Sequence, residues 1–456
     1  MAITSDVLVV GGGLAGITAA LSTAREGADV RLVSHKQSTL QQASGLVDAL
    51  GYVPPTDTGS DPGETPTAGR TGVRDRPDPE GPLADPFGAI DRLPVDHPYR
   101  LVGADALREG LELFDETVAG YRGAHTDRNA LVPTFGGTVK PTARYPAATA
   151  AGLASDDRPM LVVGFRSLTE FDARQVAERL SAAGVPFPVT GAEVAFPAAF
   201  RDDAKITRFA RALDLDEPVD GTPARRALAD AVAPHLDAAD GGAARVGFPA
   251  FLGDDAAPAV RAELADRLGV NVFEIPTGPP SLPGLRLADR LYEALDAAGV
   301  RYETGVPVVG RELADGGGDA TGGHVDTLLV DRKGTRVPYA ADAVVLATGG
   351  LVGKGIDSDR DGVYEPVLGC HVPHPAERYE WYVDDAFGDQ PYARFGVRAD
   401  ERLRPLDADG EVQFPNVRVA GATLGGADVA REKSASGVSL ATGLVAGREA
   451  AAEAAR

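Results

Sequence analysis

The stretch Asp6-Val7-Leu8-Val9-Val10-Gly11-Gly12-Gly13-Leu14-Ala15-Gly16 decides the fold that the sequence predicts. Residues 6–10 are typical of a buried parallel strand, and an alanine-rich helix is predicted from Leu14 to about Gly27. Between them, three glycines have the G-x-G-x-x-G spacing of a dinucleotide-binding turn. The first permits a tight turn, the second lets a diphosphate approach the backbone, and the third brings the helix close to the strand.

The free N–H groups at the start of this helix are expected to hold the phosphate. The residues predicted to contact it are Gly11, Gly13, Leu14, Ala15 and Gly16. The alternative is a glycine-rich turn that binds nothing, but a turn placed between a strand and a helix, with a second strand after it, favours the dinucleotide site.

The second predicted strand, Asp29–Val33, ends where such sites usually carry an acid that binds a ribose hydroxyl. Here that position is Ser34, followed by His35. A hydroxyl can bind a ribose, but it brings no charge. We therefore expect Ser34 and His35 near the ribose or ribityl part of a cofactor.

Further small residues follow other predicted strands and turns. The polar loop after the second strand ends in Ser44 and Gly45, and its alternative is an ordinary capped turn into a helix. Strands predicted at 343–346 and 416–419 also end in small residues, and an alanine-rich helix closes the chain. The residues expected to line a flavin are Ser44, Gly45, Ala347, Thr348, Gly349, Gly421, Ser436, Gly437, Val438 and Ser439.

These segments predict an α/β protein with a Rossmann-like fold of the FAD/NAD(P)-binding flavoprotein type and an inserted second α/β region. Residues 1–52 and 340–456 are expected to form one nucleotide-binding sheet. Residues 53–98 form an acidic, proline- and glycine-rich segment predicted as an exposed loop, and 99–339 form the insertion. Within it, a helix is predicted from about Asp105 to Tyr121, and Ser167-x-x-Glu170 resembles a capping box.

The net charge of −22 excludes a nucleic-acid-binding surface, because 44 Asp and 23 Glu oppose 39 Arg and 6 Lys. Such an excess of aspartate is typical of proteins from salt-accumulating organisms, and we expect salt to stabilise the fold. No run of 18 apolar residues and no signal peptide is found, so a cytoplasmic protein is expected, attached to a membrane only through a partner subunit.

Cys370 is the single cysteine, so a four-cysteine iron–sulfur cluster cannot form within these 456 residues. The run Asp357-x-Asp359-x-Asp361-Gly362 begins like a calcium loop, but Leu368 stands where a bidentate glutamate is needed. Cys370, with its neighbouring histidines, lacks a second ligand cluster. No metal site is therefore predicted, and any clusters that carry electrons would lie on another polypeptide.

Taken together, the motifs resemble those of the anaerobic glycerol-3-phosphate dehydrogenase family, in its flavoprotein subunit of the B type. The resemblance runs end to end, apart from 53–98 and a glycine-rich insert near 315–323. The stretches that carry it are Val9 to Gly16, Gln37-Ser38 with Ser44-Gly45, Gly164 with Phe171-Asp172, Pro279-Pro280-Ser281 with Gly284 and Arg286-Leu287, Glu365-Pro366-Val367-Leu368-Gly369, Glu380-Trp381-Tyr382, Phe395-Gly396-Val397, Leu403-Arg404-Pro405, and Gly421 with Gly425-Gly426.

The resemblance implies a flavin, usually assigned as FMN in this family, with FAD as the alternative that the diphosphate-type loop favours. It implies assembly with a larger catalytic flavoprotein subunit and with an iron–sulfur subunit that docks on the membrane. The complex would oxidise sn-glycerol 3-phosphate to dihydroxyacetone phosphate and pass electrons to a quinone. The substrate would be oxidised on this subunit or on its partner, and the sequence does not identify a general base.

Two other hypotheses remain open at this point. One is a self-sufficient FAD-dependent oxidoreductase that acts on another small substrate. The other is a flavin-bearing assembly subunit without turnover.

Overall fold

The computed structural model describes residues 2–36, 38–55, 79–198, 204–237, 241–314, 322–386 and 388–456. The chain divides into two compact units. The first comprises Met1–Ser38, Asp48–Thr117 and Leu291–Arg456, and the second comprises Thr39–Val47 and Val118–Arg290. None of the described helices combines the length and the apolar character that crossing a bilayer requires.

The described α-helices are α1 (Leu14–Arg25), α2 (Pro98–Thr117), α3 (Ala173–Ala182), α4 (Ile206–Asp214), α5 (Ala224–Leu236), α6 (Ala257–Leu268), α7 (Leu282–Ala297), α8 (Val429–Glu432) and α9 (Ala435–Ala454). Short 3₁₀ helices span Thr39–Gln42, Ile90–Arg92, Ala147–Gly152, Arg378–Glu380, Pro391–Arg394 and Gly421–Thr423.

The strands of the two larger sheets are β1 (Ile3–Val10), β2 (Val30–Ser34), β3 (Met160–Phe165), β4 (Val189–Val194), β5 (Arg245–Pro249), β6 (Asn271–Ile275), β7 (Arg301–Thr304), β8 (Val308–Leu313), β9 (Val325–Arg332), β10 (Thr335–Leu346) and β11 (Val417–Val419). Two-stranded ladders join Tyr121–Arg122 to Tyr145–Pro146, Ala130–Pro133 to Val139–Thr142, Pro218–Val219 to Thr222–Pro223, and Asp357–Ser358 to Val363–Tyr364.

The sheet of the first unit has the order β7-β2-β1-β10-β9-β8, with β11 beside β10. Strand β1 lies at its centre and pairs in parallel with β2 and β10, with Val10 opposite Val33 and Leu346. The last four residues of β1 are buried, as its continuous apolar run requires. The first half of β10 pairs with β9 as an antiparallel hairpin, and its last residues pair with β11. The predicted Rossmann-like α/β fold is confirmed.

Helices α1 and α9 pack closely in this unit because two glycines of α9 face α1. A Cβ at Gly443 would crowd the carbonyl oxygen of Ala15, and one at Gly447 would crowd that of Ala19. The hydroxyl of Ser22 donates to the carbonyl of Leu444 at 2.8 Å. The first and last helices of the described chain therefore share one buried interface.

The sheet of the second unit has the order β6-β5-β3-β4, and all its strands are parallel. Its core contains a cluster of phenylalanines. Rings from the carboxyl ends of three strands meet there: Phe165 lies 5.4 Å from Phe251 and 5.2 Å from Phe196, measured between ring centroids. This end of the sheet is filled by aromatic side chains.

The predicted domain bounds of 1–52, 53–98, 99–339 and 340–456 stay a prediction, and the two units divide the chain at other positions. The division differs because β7, β8 and β9 are strands of the first unit's sheet. The chain from Leu291 onwards therefore belongs to the first unit and not to the insertion. Residues 56–78 of the predicted loop, and 315–321 of the predicted insert, lie outside the described residues.

Two local predictions need correction. The part of 53–98 that is described is not simply an exposed loop, since Phe87, Ile90 and Leu93 are buried. They lie in or beside the short 3₁₀ helix Ile90–Arg92, which is too short to give a periodic apolar pattern in the sequence. Helix α3 begins at Ala173 and is capped by Asp172 rather than by the predicted box at Ser167, because the Asp172 carboxylate accepts from the N–H groups of Arg174 and Gln175.

The predicted helix over 105–121 is present but begins earlier, at Pro98, and ends at Thr117. Gly103 interrupts it with φ 83° and ψ 165°, which are not helical values. The regular helical turns therefore follow Gly103, and their apolar residues Leu107, Leu111 and Phe114 are buried.

Candidate functional site

The turn after β1 is held by main-chain contacts that leave no room for a side chain. The Gly11 N–H donates to the carbonyl of Val33, and the Ala347 N–H donates to that of Val10, both at 2.8 Å. Gly11 has φ 126°, and a Cβ there would overlap the Ala347 carbonyl. Gly16 likewise faces the Gly11 carbonyl. Both glycines are thus required by the protein itself.

Gly13 differs, because nothing in the described chain requires it to lack a side chain. It is the N-cap of α1 in an extended conformation, with φ −82° and ψ 180°. No described side chain caps the helix, and a Cβ at Gly13 would have no described heavy atom within 4 Å. The first N–H groups of α1 therefore remain available to an anion, and a phosphate could approach them over Gly13.

Ser34 lies beside this turn, at the end of β2. Its side chain is buried, and its hydroxyl donates to the carbonyl of Lys36 at 2.8 Å. A Cβ at Gly12 would lie 3.0 Å from the Ser34 Oγ and 3.3 Å from the Tyr292 Oη. Because the Ser34 hydroxyl already donates its proton to Lys36, its oxygen could accept a hydrogen bond from a ribose hydroxyl. His35 is exposed.

The end of β10 carries an unsatisfied polar atom next to the glycine turn. The Gly349 N–H donates to the Thr423 Oγ1 at 3.0 Å, and Gly349 has φ 91°. The Thr348 Oγ1 is buried and has no hydrogen-bond partner among the described residues. Buried hydroxyls are nearly always paired, so this one calls for a partner from outside the described residues. The oxygen and nitrogen atoms of a flavin would supply one.

Gly421 follows β11 and lies against α1. It has φ 66°, its N–H donates to the Thr442 Oγ1 at 2.8 Å, and a Cβ there would lie 2.6 Å from the Ala15 Cβ. The Ser439 Oγ would lie 3.7 Å from that Cβ position and donates to the carbonyl of Ala435. The structure thus gathers the predicted residues Gly11, Ala15, Ala347, Gly421 and Ser439 around one edge of the sheet.

The remaining predicted residues at the start of α9 serve packing in this structure. Gly437 is buried, and a Cβ there would overlap the Tyr99 hydroxyl. Val438 is buried as well, whereas Ser436 is partly exposed. Contact of Gly437 and Val438 with a flavin stays a prediction.

Ser44 and Gly45 belong to the second unit. The Tyr121 hydroxyl donates to the Gly45 carbonyl at 2.7 Å, and burial raises the pKa of Tyr121. Gly45 has φ 75°, and a Cβ there would lie 2.6 Å from the Pro283 Cβ. Packing alone therefore explains this glycine, and its predicted place beside a flavin stays a prediction.

A buried polar cluster behind α9 was not predicted from the sequence. The His97 Nε2 lies 3.1 Å from the Glu432 carboxylate, which also accepts from the Ser434 hydroxyl at 2.8 Å. The His97 Nδ1 accepts from the Tyr99 N–H, so its proton is on Nε2. Burial, with the charges of Glu432 and Asp48, raises the pKa of Tyr99 well above its usual value. The cluster fixes the segment that leads into α9.

Thr423 and Thr442 were also missed, although their hydroxyls hold the main chain of the site. The sequence signal was weak, because Thr423 stands in a short irregular segment and Thr442 lies within the alanine-rich helix α9. Among the described residues, no three His, Cys, Asp or Glu side chains converge as metal ligands would.

Comparison with known proteins identifies the family. A family model described as an FAD binding domain matches residues 6–438. Over 455 residues, covering 99% of both proteins, the chain is 57% identical to a Halobacterium salinarum protein named as a probable anaerobic glycerol-3-phosphate dehydrogenase subunit, of the B type. The chain belongs to this family of dehydrogenase subunits. A Yersinia enterocolitica protein named as the same type of anaerobic glycerol-3-phosphate dehydrogenase subunit is 29% identical over 457 residues, covering 96% of each chain.

Among solved structures, the chain is similar to a 3-ketosteroid delta1-dehydrogenase from Sterolibacterium denitrificans, with a TM-score of 0.40, 11% identity and 99% of each chain covered. As a member of this dehydrogenase subunit family with an FAD-binding domain, the chain is a flavoprotein oxidoreductase, and the predicted flavin is confirmed. The acidic composition agrees with the similarity to a Halobacterium protein.

Proposed function

We propose that this chain is the flavin-bearing subunit of a glycerol-3-phosphate dehydrogenase that passes electrons to a quinone. Its partners would be a larger catalytic flavoprotein subunit and an iron–sulfur subunit. Glycerol 3-phosphate would lose a hydride from C2 and the proton of the C2 hydroxyl, which gives dihydroxyacetone phosphate. When bound, the flavin supplies the two-electron acceptor chemistry that such an oxidation needs.

The observation that carries the proposal is the start of α1, which no described side chain caps, beside the Thr348 hydroxyl, which has no hydrogen-bond partner among the described residues. The first would bind a phosphate group, and the second would donate to a polar atom of the ring system. The start of α1 follows β1, and Thr348 follows β10. These two strands pair in parallel in one sheet, so their carboxyl ends lie side by side. The names of the relatives support the substrate and the subunit role.

Each residue of the site would contribute binding rather than chemistry. The N–H groups of Leu14, Ala15 and Gly16 would hold phosphate, and Ser34 would accept from a ribose or ribityl hydroxyl. Ala347, Gly349 and Gly421 keep the backbone close to the cofactor because they carry little or no side chain. The dipole of α9 would favour negative charge at its start.

The single cysteine supports dependence on partners. A cluster with four cysteine ligands needs three more thiolates than this chain contains. Electrons that leave through iron–sulfur clusters must therefore pass to another polypeptide.

The test is Gly13→Val in the full chain, purified alone and co-purified with its partner subunits. The added Cβ would have no described heavy atom within 4 Å, so folding should be kept while phosphate approach is blocked. We expect loss of flavin absorbance and of glycerol-3-phosphate oxidation by the complex. Gly136→Val is the matched control, because its Cβ would make only an ordinary 3.7 Å contact with Thr134.

Acid release of the cofactor from the wild-type chain distinguishes FMN from FAD by chromatography. Full activity of a flavin-free Gly13→Val complex would contradict the proposal and favour an assembly subunit. Reduction of a dye with glycerol 3-phosphate by the isolated chain would instead favour a self-sufficient dehydrogenase.

A further inference from the structure

A cavity of about 360 Å³ lies in the first unit, away from the turn after β1. Its walls come from the chain before and within α2, with Asp96 and Leu101, and from two extended segments around Gly396 and Gly425. Arg394 and Arg398 also line it. Its volume is in the range of small-molecule sites.

One residue joins this cavity to the candidate flavin site. The Thr423 carbonyl accepts from the Val397 N–H at 2.9 Å, and Val397 lines the cavity. The Thr423 hydroxyl accepts from the Gly349 N–H at 3.0 Å, at the end of β10. Leu424, the next residue, lines the cavity as well. A molecule held there would lie next to the segment that carries Gly421.

The charges around the cavity include a cation that is free to bind an anion. Arg394 pairs with Asp389 at 2.7 Å, and Arg431 approaches the same carboxylate at 3.5 Å. Arg398 is exposed, and no ion pair or side-chain hydrogen bond links it to another described residue. Of the two arginines that line the cavity, Arg398 is therefore the one whose charge is not already offset by a described carboxylate.

Arg398 and Asp96 offer two different kinds of contact in the same cavity. A guanidinium group binds phosphate through two parallel charge-assisted hydrogen bonds. A carboxylate accepts hydrogen bonds from hydroxyl groups. A ligand that satisfies both carries a phosphate at one end and hydroxyls at the other.

We propose that this cavity binds the phosphate ester of a small polyol, with its phosphate on Arg398 and its hydroxyls towards Asp96. This inference rests on the proposed function, which makes glycerol 3-phosphate the ligand. It places a substrate site on this subunit, linked to the candidate flavin site through Thr423, in addition to any site on the partner.

The experiment is calorimetric titration of the flavin-loaded full chain with sn-glycerol 3-phosphate, inorganic phosphate and glycerol at one fixed potassium chloride concentration. We expect the ester to bind, phosphate to bind more weakly, and glycerol to give no signal. Arg398→Gln should weaken ester binding at least tenfold because it removes the charge, and Arg398→Lys should weaken it less. The control, Arg336→Gln, removes a comparable exposed charge from β10 and should leave binding unchanged.

Equal ester affinity in Arg398→Gln and wild type would overturn the inference, and so would an isolated wild-type chain that binds no ester. Phosphate binding as tight as ester binding would overturn the assignment of a polyol ligand. These outcomes are separate from failure of the proposed function, which is judged by flavin content and by turnover of the assembled complex. A complex that oxidises glycerol 3-phosphate while this chain binds none would keep the proposed function and refute the site.

Discussion

The two βαβ units formed by β1, α1 and β2 and by β3, α3 and β4 have the same architecture but treat the start of their helix in opposite ways. In the second, Asp172 accepts from the N–H groups of Arg174 and Gln175 at 3.0 Å. The Glu193 carboxylate accepts from the Ala173 N–H at 2.8 Å. The positive end of α3 is therefore bound by carboxylates of the chain itself.

In the first βαβ unit, Gly13 stands at the N-cap, and the first turn of α1 contains no acidic residue. No described side chain caps this helix. Parallel strands and a helix are thus insufficient for anion binding. What matters is whether the chain leaves the helix N–H groups free, and only the first of these two βαβ units does so.

The largest effect is expected from Gly11→Ala. The added Cβ would overlap the Ala347 carbonyl, and φ 126° is strained for alanine. We expect a loss of more than about 3 kcal/mol in the free energy of unfolding, because strain and a main-chain clash combine. Urea unfolding followed by circular dichroism measures this. A variant as stable as wild type would show that the two strand ends do not meet as described.

Gly13→Asp should turn the first βαβ unit into a copy of the second. Its carboxylate would cap α1 as Asp172 caps α3, which raises the stability of the flavin-free protein by a few tenths of a kcal/mol to about 1 kcal/mol. The same charge would repel a phosphate, so flavin affinity should fall at least a hundredfold. Flavin titration of the apoprotein measures the second effect.

Asp172→Ala is the reciprocal control for that variant. It removes the cap of α3 and should cost about 1 kcal/mol, with no change in flavin affinity. Retention of flavin by Gly13→Asp would contradict the idea that a free helix start distinguishes the two βαβ units.

The smallest effect concerns acid stability of the second unit. Hydrogen bonds from Arg158 hold the pKa of Asp156 at about 2, below the ordinary value of 3.8. A lowered pKa in the folded state means that the Asp156 carboxylate stabilises the fold above about pH 4, and that this contribution is lost as the pH falls towards 2. Asp156→Asn should cost about 1 kcal/mol in urea unfolding at pH 7 and at pH 5, and progressively less as the pH falls from about 4 towards 2. The exposed neighbour variant Asp157→Asn should show a smaller difference, without this trend.

The sequence predicted the parts of the fold that depend on neighbouring residues. The strands predicted at 6–10, 29–33, 343–346 and 416–419 coincide with β1, β2, the end of β10 and β11. The glycine turn was predicted from its spacing between a strand and a helix, although the carbonyl that excludes a side chain at Gly11 belongs to the distant Ala347.

Features that depend on distant partners were not predicted. His97 and Glu432 are 335 positions apart, so no local pattern indicates that both are buried. Arg245 and Arg418 are fully buried. Arg245 donates to the Leu153 carbonyl and Arg418 donates to the Glu453 carboxylate, and both acceptors are distant in the sequence. The Ser167 box was predicted because it fits a local rule, whereas the Glu193 carboxylate that helps to fix the start of α3 comes from another strand.

The interface between α1 and α9 sets an order of events during synthesis. The Ser22 hydroxyl meets its carbonyl partner, Leu444, 422 positions later in the chain. At ribosomal speed that interval lasts roughly 20 to 80 s. During this time β1 and the glycine turn exist first without the end of β10, and then still without β11 and α9. The buried face of α1 therefore gains its cover of α9 only after residues 435–454 have been synthesised.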